Sequence, residues 1–382
     1  MKSSYFISIL LSGEEGWHFL KRLLFALLAA AHLGAQTVSF TPQTISAGNS
    51  PISVRLADFN GDNKLDILVI NGGGQGTVSV LLNQGGGNFS APIATPTGGL
   101  GAIALVAGDY NHDGKADLAV VNNLSNNVSI LLGNGDGTFR LASYAGVHSG
   151  PVAVAEADFN RDGNTDLAVV NSLTGDVTIL LGKRDGTFRP GTHVFVGGAP
   201  TAITAGDFNG DGIPDLAVAN GTQGQQLVYI LLGNGDGTFR SGGKVPVGNE
   251  PFALVAHDFN HDGKTDLAVA NLASNNVSVL AGNGDGTFQP AVNYPAGNGP
   301  VSMRAGAFNR DGNLDLAVCA DVSAEVLVFL GKRDGTFRTP QSIPTGSICN
   351  SVAVGDLNQD GKSDIVAATT DSVVVLINNG SN

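Results

Sequence analysis

The residues best suited to chemistry are seven short polar runs at near-constant spacing. The first is Asp58-Phe59-Asn60-Gly61-Asp62-Asn63-Lys64-Leu65-Asp66. Related nonapeptides start at Asp109, Asp158, Asp207, Asp258, Ala307 and Asp356, at intervals of 51, 49, 49, 51, 49 and 49 residues. In the pattern Asp-x-Asn-x-Asp-Gly-x-x-Asp, oxygen donors at positions 1, 3 and 5 curl around one point. Gly at position 6 permits a sharp turn, a backbone carbonyl at position 7 can face inward, and the carboxylate at position 9 closes the shell. This is the logic of an EF-hand loop with Asp at 9 in place of Glu at 12. Hard oxygen donors in a flexible loop select Ca²⁺ over transition metals.

Two copies depart from the pattern. The first has Asn63 where Gly is expected, and Asn tolerates the left-handed region. The sixth has Ala307 in place of the first Asp, so that loop loses a ligand and is expected to be weak or empty. Asp and Asn are common in turns that hold no metal; seven copies in register favour the metal reading. About six or seven Ca²⁺ sites are therefore expected.

Charge fits this reading. The seven loops carry 20 of the chain's 33 acidic residues, and the formal net charge is -13. A nucleic-acid partner would call for clustered Lys and Arg instead. Without cations, three carboxylates crowd each intact loop and repel one another, so calcium-linked stability is expected.

The elements that position these loops follow from the repeat. A period near 50 residues built of short alternating segments belongs to propeller-like arrays. In the third unit, Val152-Ala153-Val154-Ala155 leads into the loop and Leu167-Ala168-Val169-Val170 leaves it. A turn over Asn171 to Asp176 precedes Val177-Thr178-Ile179-Leu180-Leu181. A Gly-rich reversal at Gly182 to Thr187 then gives a fourth strand from Phe188 to about Val196. Each run is apolar or β-branched and bounded by Gly, Asn or Asp. No stretch beyond the first 35 residues has a sustained helical period, so an all-β fold with almost no helix is expected.

Phe recurs at two fixed places: loop position 2 (Phe59, Phe159, Phe208, Phe259, Phe308) and the start of the fourth strand (Phe40, Phe89, Phe139, Phe188, Phe239, Phe288, Phe337). Fixed repeat positions point to core between blades. Phe40 adds that residues about 37 to 46 read as a fourth strand, whereas the chain ends on a third strand at Val373 to Ile377. The first strand is thus expected to complete the last blade and close a seven-bladed ring of four-stranded blades, which protects its edges.

Residues 1–35 differ from the rest. Lys21-Arg22, a short apolar run from Leu23 to Ala31 and small residues near Gly34-Ala35 read as a secretory signal peptide, with 36–382 as the propeller. The expected location is therefore secreted, periplasmic or cell-surface. Cys319 and Cys349 allow one bridge or two buried thiols.

The repeats resemble the FG-GAP/VCBS family, similar to the β-propeller at the N-terminus of integrin α subunits, over residues 37–382. The resemblance implies Ca²⁺ held between the first two strands of a blade. The ligand quartets it implies are Asp58, Asn60, Asp62 and Asp66; Asp109, Asn111, Asp113 and Asp117; Asp158, Asn160, Asp162 and Asp166; Asp207, Asn209, Asp211 and Asp215; Asp258, Asn260, Asp262 and Asp266; and Asp356, Asn358, Asp360 and Asp364. Asn309, Asp311 and Asp315 remain in the sixth loop. The Gly-Asp-Gly-Thr turns, such as Gly135-Asp136-Gly137-Thr138, are read as tight hairpins on the same face as the loops.

Three functions fit such a fold: a secreted or cell-surface protein-interaction or adhesion module, a carbohydrate-binding lectin, and a polysaccharide lyase-type enzyme. Sugar sites want aromatic platforms, and beyond the leader there is no Trp and only Tyr110, Tyr144, Tyr229 and Tyr294. Catalysis would need convergent acids, bases or a nucleophile away from the loops. His112, His148, His193, His257 and His261 give no visible dyad in the sequence, and no divergent blade stands out. The chain is therefore read as a monomeric binding module rather than an enzyme. Its partner would be a protein or glycan at the cell surface, with no nucleic acid and no membrane span after signal cleavage.

Overall fold

The fold was obtained as a computed structural model that describes residues 38–72, 75–221 and 226–380. The leader expected over residues 1–35 lies outside the described residues. Ser39–Asn382 form one unit. Its strands assemble into seven four-stranded antiparallel blades, and no helix occurs among the described residues.

Blade 1 runs Pro51–Ala57, Asp66–Asn71, Gln75–Leu81 and Ile93–Leu100. Blade 2 starts at Ala102, blade 3 at Pro151, blade 4 at Pro200, blade 5 at Pro251 and blade 6 at Pro300. Blade 7 has Cys349–Gly355, Asp364–Thr369 and Val373–Asn378, and its outer strand is Phe40–Ile45. Phe40 pairs with Asn378 and Ile45 with Val373. Closure of the ring by the first strand is therefore observed, as expected.

Burial explains the composition of each strand. Every second strand is buried along its whole length, as in Asp166–Asn171, because both its faces meet neighbouring blades. Such strands read as continuous Leu-Ala-Val-Val runs rather than as alternation. The apolar clusters lie between blades. One joins Leu68, Ile70 and Val80 of blade 1 to Leu105, Leu118 and Val120 of blade 2. Another joins Val54, Ile67 and Val69 of blade 1 to Val366, Val373 and Val375 of blade 7.

The two Phe series meet at these junctions. Phe59 packs edge-to-face on Phe139 of the next blade at 5.8 Å, Phe159 on Phe239 at 5.5 Å, Phe208 on Phe288 at 5.7 Å and Phe259 on Phe337 at 5.7 Å. Tyr110 meets Phe188 in the same way. Phe308 of blade 6 meets Phe40 at 6.0 Å, so the first strand supplies the aromatic that blade 7 lacks. Such pairs contribute about 0.5–1.5 kcal/mol beyond area burial.

Fourth strands do not all begin at their Phe. In blade 1, Phe89 lies in a separate two-stranded ribbon with Asn83–Gly85, and the fourth strand is Ile93–Leu100; in blades 5 and 6, Phe288 and Phe337 make only isolated bridges, and the strands proper are Val292–Pro295 and Gln341–Pro344.

Cys319 and Cys349 are bonded, with Cα atoms 5.7 Å apart. The bridge ties the second strand of blade 6 to the first strand of blade 7, where the ring closes. It spans 30 residues, a loop length for which the entropy model gives about 3–4 kcal/mol. The double variant Cys319→Ala/Cys349→Ala should unfold at a correspondingly lower urea concentration. An unchanged midpoint would show that the bridge constrains nothing.

Candidate functional site

Each acidic loop joins the first two strands of a blade, and the same local bonds recur in each. The position-1 carboxylate accepts backbone N–H groups from across the loop. Asp109 Oδ1 takes Asp113 N at 3.0 Å and Oδ2 takes Gly114 N at 2.9 Å. Asp158, Asp258 and Asp356 repeat the pair. Asp58 and Asp207 bind three and five residues ahead in the same way. Position-3 Asn accepts from the position-5 amide, as for Asn209 and Asp211 at 2.9 Å, and position-5 Asp accepts from the position-7 amide, as for Asp211 and Ile213 at 2.8 Å. The loops are thus pre-curled, with side-chain oxygens retaining further lone pairs for a cation.

Two left-handed residues make that curl. Gly at position 6 has φ near +80°, as at Gly263, and Asn63 takes its place at +61°. Position 4 is left-handed too: His112, Arg161, His261, Arg310 and Gln359 have φ of 55–61°. Several of these side chains reach the next blade's loop. Arg161 donates to Gly212 O at 3.0 Å, Arg310 to Gly361 O at 3.1 Å and Gln359 to Asn63 O at 3.1 Å. A Cβ at Gly263 would meet nothing within 4 Å, so Gly263→Ala should cost about 1–2 kcal/mol through backbone strain alone. Chemical denaturation would show it; no loss would mean that the turn can relax.

The ninth-position Asp differs from the other three ligand candidates. All seven are 0–1 % exposed, and both oxygens are committed. In blade 4, Asp215 Oδ2 accepts Phe208 N at 2.9 Å and Oδ1 accepts Gly233 N at 2.8 Å. Asp66, Asp117, Asp166, Asp266, Asp315 and Asp364 make the equivalent pairs. Burial pushes these carboxyls up, against the pull of their two N–H donors. Asp166, Asp315 and Asp364 are pushed up to about 6, and the neighbouring loop carboxylates add to the rise. A cation beside them would reverse that effect.

The donor types fit a calcium ion: oxygen atoms only, on a backbone already turned around positions 1, 3 and 5, with the ninth carboxylate held inward by its two N–H donors. The first loop is partly neutralised from within, because Lys64 Nζ sits 2.9 Å from Asp62 and pulls that carboxyl down. In the sixth loop Ala307 offers no carboxylate, and its N–H and C=O bind Ser363 of blade 7 instead, both at 3.0 Å. The Gly-Asp-Gly-Thr turns lie where expected, each against the preceding blade's loop: Gly137 N donates to Phe59 O at 3.0 Å and Gly237 N to Phe159 O at 3.1 Å. Asp58, Asp109, Lys115 and Gly135 border a depression of about 530 Å³ between the first two loops.

First strands face the middle of the ring. There Arg55 and Arg304 are desolvated, which lowers both; Arg304 lowers Arg55 further, and Glu156 opposes that. Tyr110 donates to Glu156 at 2.8 Å.

The opposite face holds the turns between second and third strands and the blade connections. Large apolar side chains are exposed on it, including Leu173 (81 %), Phe195 (78 %), Val322 (73 %) and Leu124 (70 %). The same face corrects one expectation. No His dyad was visible in the sequence, yet His148 and His193 stack at 3.8 Å and His148 contacts Asp176. They lie 45 residues apart, so strand register brings them together, and register was only coarsely legible.

The FG-GAP-like repeat profile matches residues 58–120, 109–169, 158–218, 207–269, 258–318 and 308–367. No curated protein is significantly similar in sequence. Among solved structures, the BBS1N protein in complex with ARL6DN, soaked with lead, is similar over 89 % of this chain and 95 % of its own, with 13 % identity and a TM-score of 0.61. A streptogramin B lyase is similar over 90 % of this chain and 99 % of its own, with 15 % identity and a TM-score of 0.60. Both likenesses are of fold.

Proposed function

The chain belongs to the FG-GAP-like repeat family, and from that premise we propose that it is a secreted or cell-surface calcium-binding propeller acting as a protein-interaction or adhesion module rather than as an enzyme. The observation that carries the proposal is the division of labour between faces. One face gathers the acidic loops; the other exposes Leu124, Leu173 and Phe195 from the adjacent blades 2 and 3. Where such exposed apolar groups join into one patch, they favour a protein partner. In the intact loops the quartets beginning at Asp58, Asp109, Asp158, Asp207, Asp258 and Asp356 would hold Ca²⁺. The ion would cancel their charge and fix the disk that presents the other face. A buried disulfide supports an oxidising compartment. The similar BBS1N propeller is found with a protein partner, which makes protein recognition a use the fold supports.

The experiment compares wild type with Leu173→Asp/Phe195→Ser. Immobilised protein in calcium should capture a defined surface protein of the producing cell, and the variant should lose it while melting unchanged. The same protein is applied to a glycan array and to acidic polysaccharides. Glycan binding without protein capture would favour a lectin, and turnover of the polysaccharide would replace the proposal with an enzyme.

A further inference from the structure

Blade 3 departs from its six sisters at one place, and the departure is chemical. Three residues before its first strand, every other blade has a glycine: Gly48, Gly99, Gly197, Gly248, Gly297 and Gly346. A Cβ at Gly48, Gly99 or Gly248 would press on the buried Asn of its own blade at 2.2–2.7 Å. Blade 3 places His148 there. Its third strand opens with Asp176, where blades 2 and 5 have Asn127 and Asn276. Opposite Thr178 its outer strand carries His193, where blade 5 pairs Ser278 with Asn293.

These three residues converge. One ligand atom from each of His148, Asp176 and His193 lies within 4.8 Å of the other two, the one such group of His, Cys, Asp or Glu among the described residues. The imidazoles are stacked, 9° from parallel, so one ring must turn about its side-chain torsions before both can point a nitrogen at one ion. Their supports are built. Asn171 Nδ2 at 2.9 Å and Thr174 Oγ1 at 2.8 Å both donate to Asp176 Oδ1, leaving Oδ2 turned to His148 Nδ1. Thr178 Oγ1 lies 3.1 Å from His193 Nδ1, which leaves that ring's Nε2 without a bond to strand neighbours. Partners that fix a carboxylate and an imidazole in this way are what orient metal ligands. The Asp176 side chain is 9 % exposed and that of His148 42 %, so the group is anchored at its base and open to solvent.

We propose that His148, Asp176 and His193 form a second, distinct metal site that takes Zn²⁺ or a similar divalent transition ion. Two imidazoles and one carboxylate are borderline donors that suit zinc and not calcium. An ion bound here would replace the contact between His148 and Asp176. Three protein ligands leave a fourth position open. It faces the surface that exposes Leu173 and Phe195, where water or a side chain of a partner can complete the shell.

The sister blades supply variants that keep the fold. His148→Gly, Asp176→Asn and His193→Asn each install the residue that blade 5 uses. Zinc binding to the full chain is measured calorimetrically in millimolar Ca²⁺, which occupies the acidic loops. One equivalent should bind to wild type and to the control His257→Gln. Each single variant should lose about 10–100-fold in affinity, and the triple variant should bind none at this site. Equal zinc binding by wild type and the triple variant would overturn the proposal, as would a wild type that binds no zinc.

Discussion

Removing calcium is expected to lower the melting temperature by ~10–20 °C. The size follows from linkage: a site holding calcium at tenfold over its Kd adds about 1.4 kcal/mol, and six such sites about 8 kcal/mol. The physical source is local. Each intact loop places three carboxylates on one turn, and in every loop the ninth is buried. The effect should also depend on pH. In the metal-free chain Asp166 and Asp364, both in intact loops, are held up to about 6 by burial. Such groups contribute stability that is complete below the ordinary carboxylate value and is lost as pH rises through about 6. Protons also compete with the cation below that point. The gap between calcium-loaded and chelated protein should therefore widen from about pH 5 to about pH 7. Scanning calorimetry at several pH values would check it. A chelator that leaves the midpoint unmoved at neutral pH would remove the metal from the account.

Asp315→Ala should cost about 3–5 kcal/mol whether or not calcium is present, because it strands two buried N–H donors. The sixth loop makes the test clean. It lacks the first carboxylate, yet Asp315 still accepts Phe308 N and Gly331 N, both at 2.8 Å. The ninth-position Asp therefore pins the loop to the start of the third-to-fourth strand reversal independently of a metal. Asp207→Ala should behave in the opposite way, with a small loss in chelator and a larger one in calcium. Denaturation of both variants in both conditions separates the two roles. If Asp315→Ala lost stability only in calcium, the ninth position would be a ligand and nothing more.

Much of this was legible because it repeats. Seven registered loops and two Phe series gave the blade number, and Phe40 gave the closure. What stayed hidden depends on side-chain direction or on register across strands. The ninth Asp looked like any other ligand until its two N–H partners were visible; its retention at 315 beside Ala307 was the available signal. The left-handed φ at His112 or Arg161 of position 4 leaves no mark in composition. His148, Asp176 and His193 lie in three different segments, and alignment of blade 3 on its sisters singles out the two histidines, since blade 6 also opens its third strand with an acidic residue, Glu325. Cys319 and Cys349 could not be paired from a count of two.

Calcium content after equilibration and removal of free ion tests the account most directly. Six ions per chain are expected, with Asp207→Ala reducing the count to five and Asp311→Ala, in the loop that already lacks a carboxylate, leaving it unchanged. A chain that retains no calcium, or whose count ignores Asp207, would contradict it.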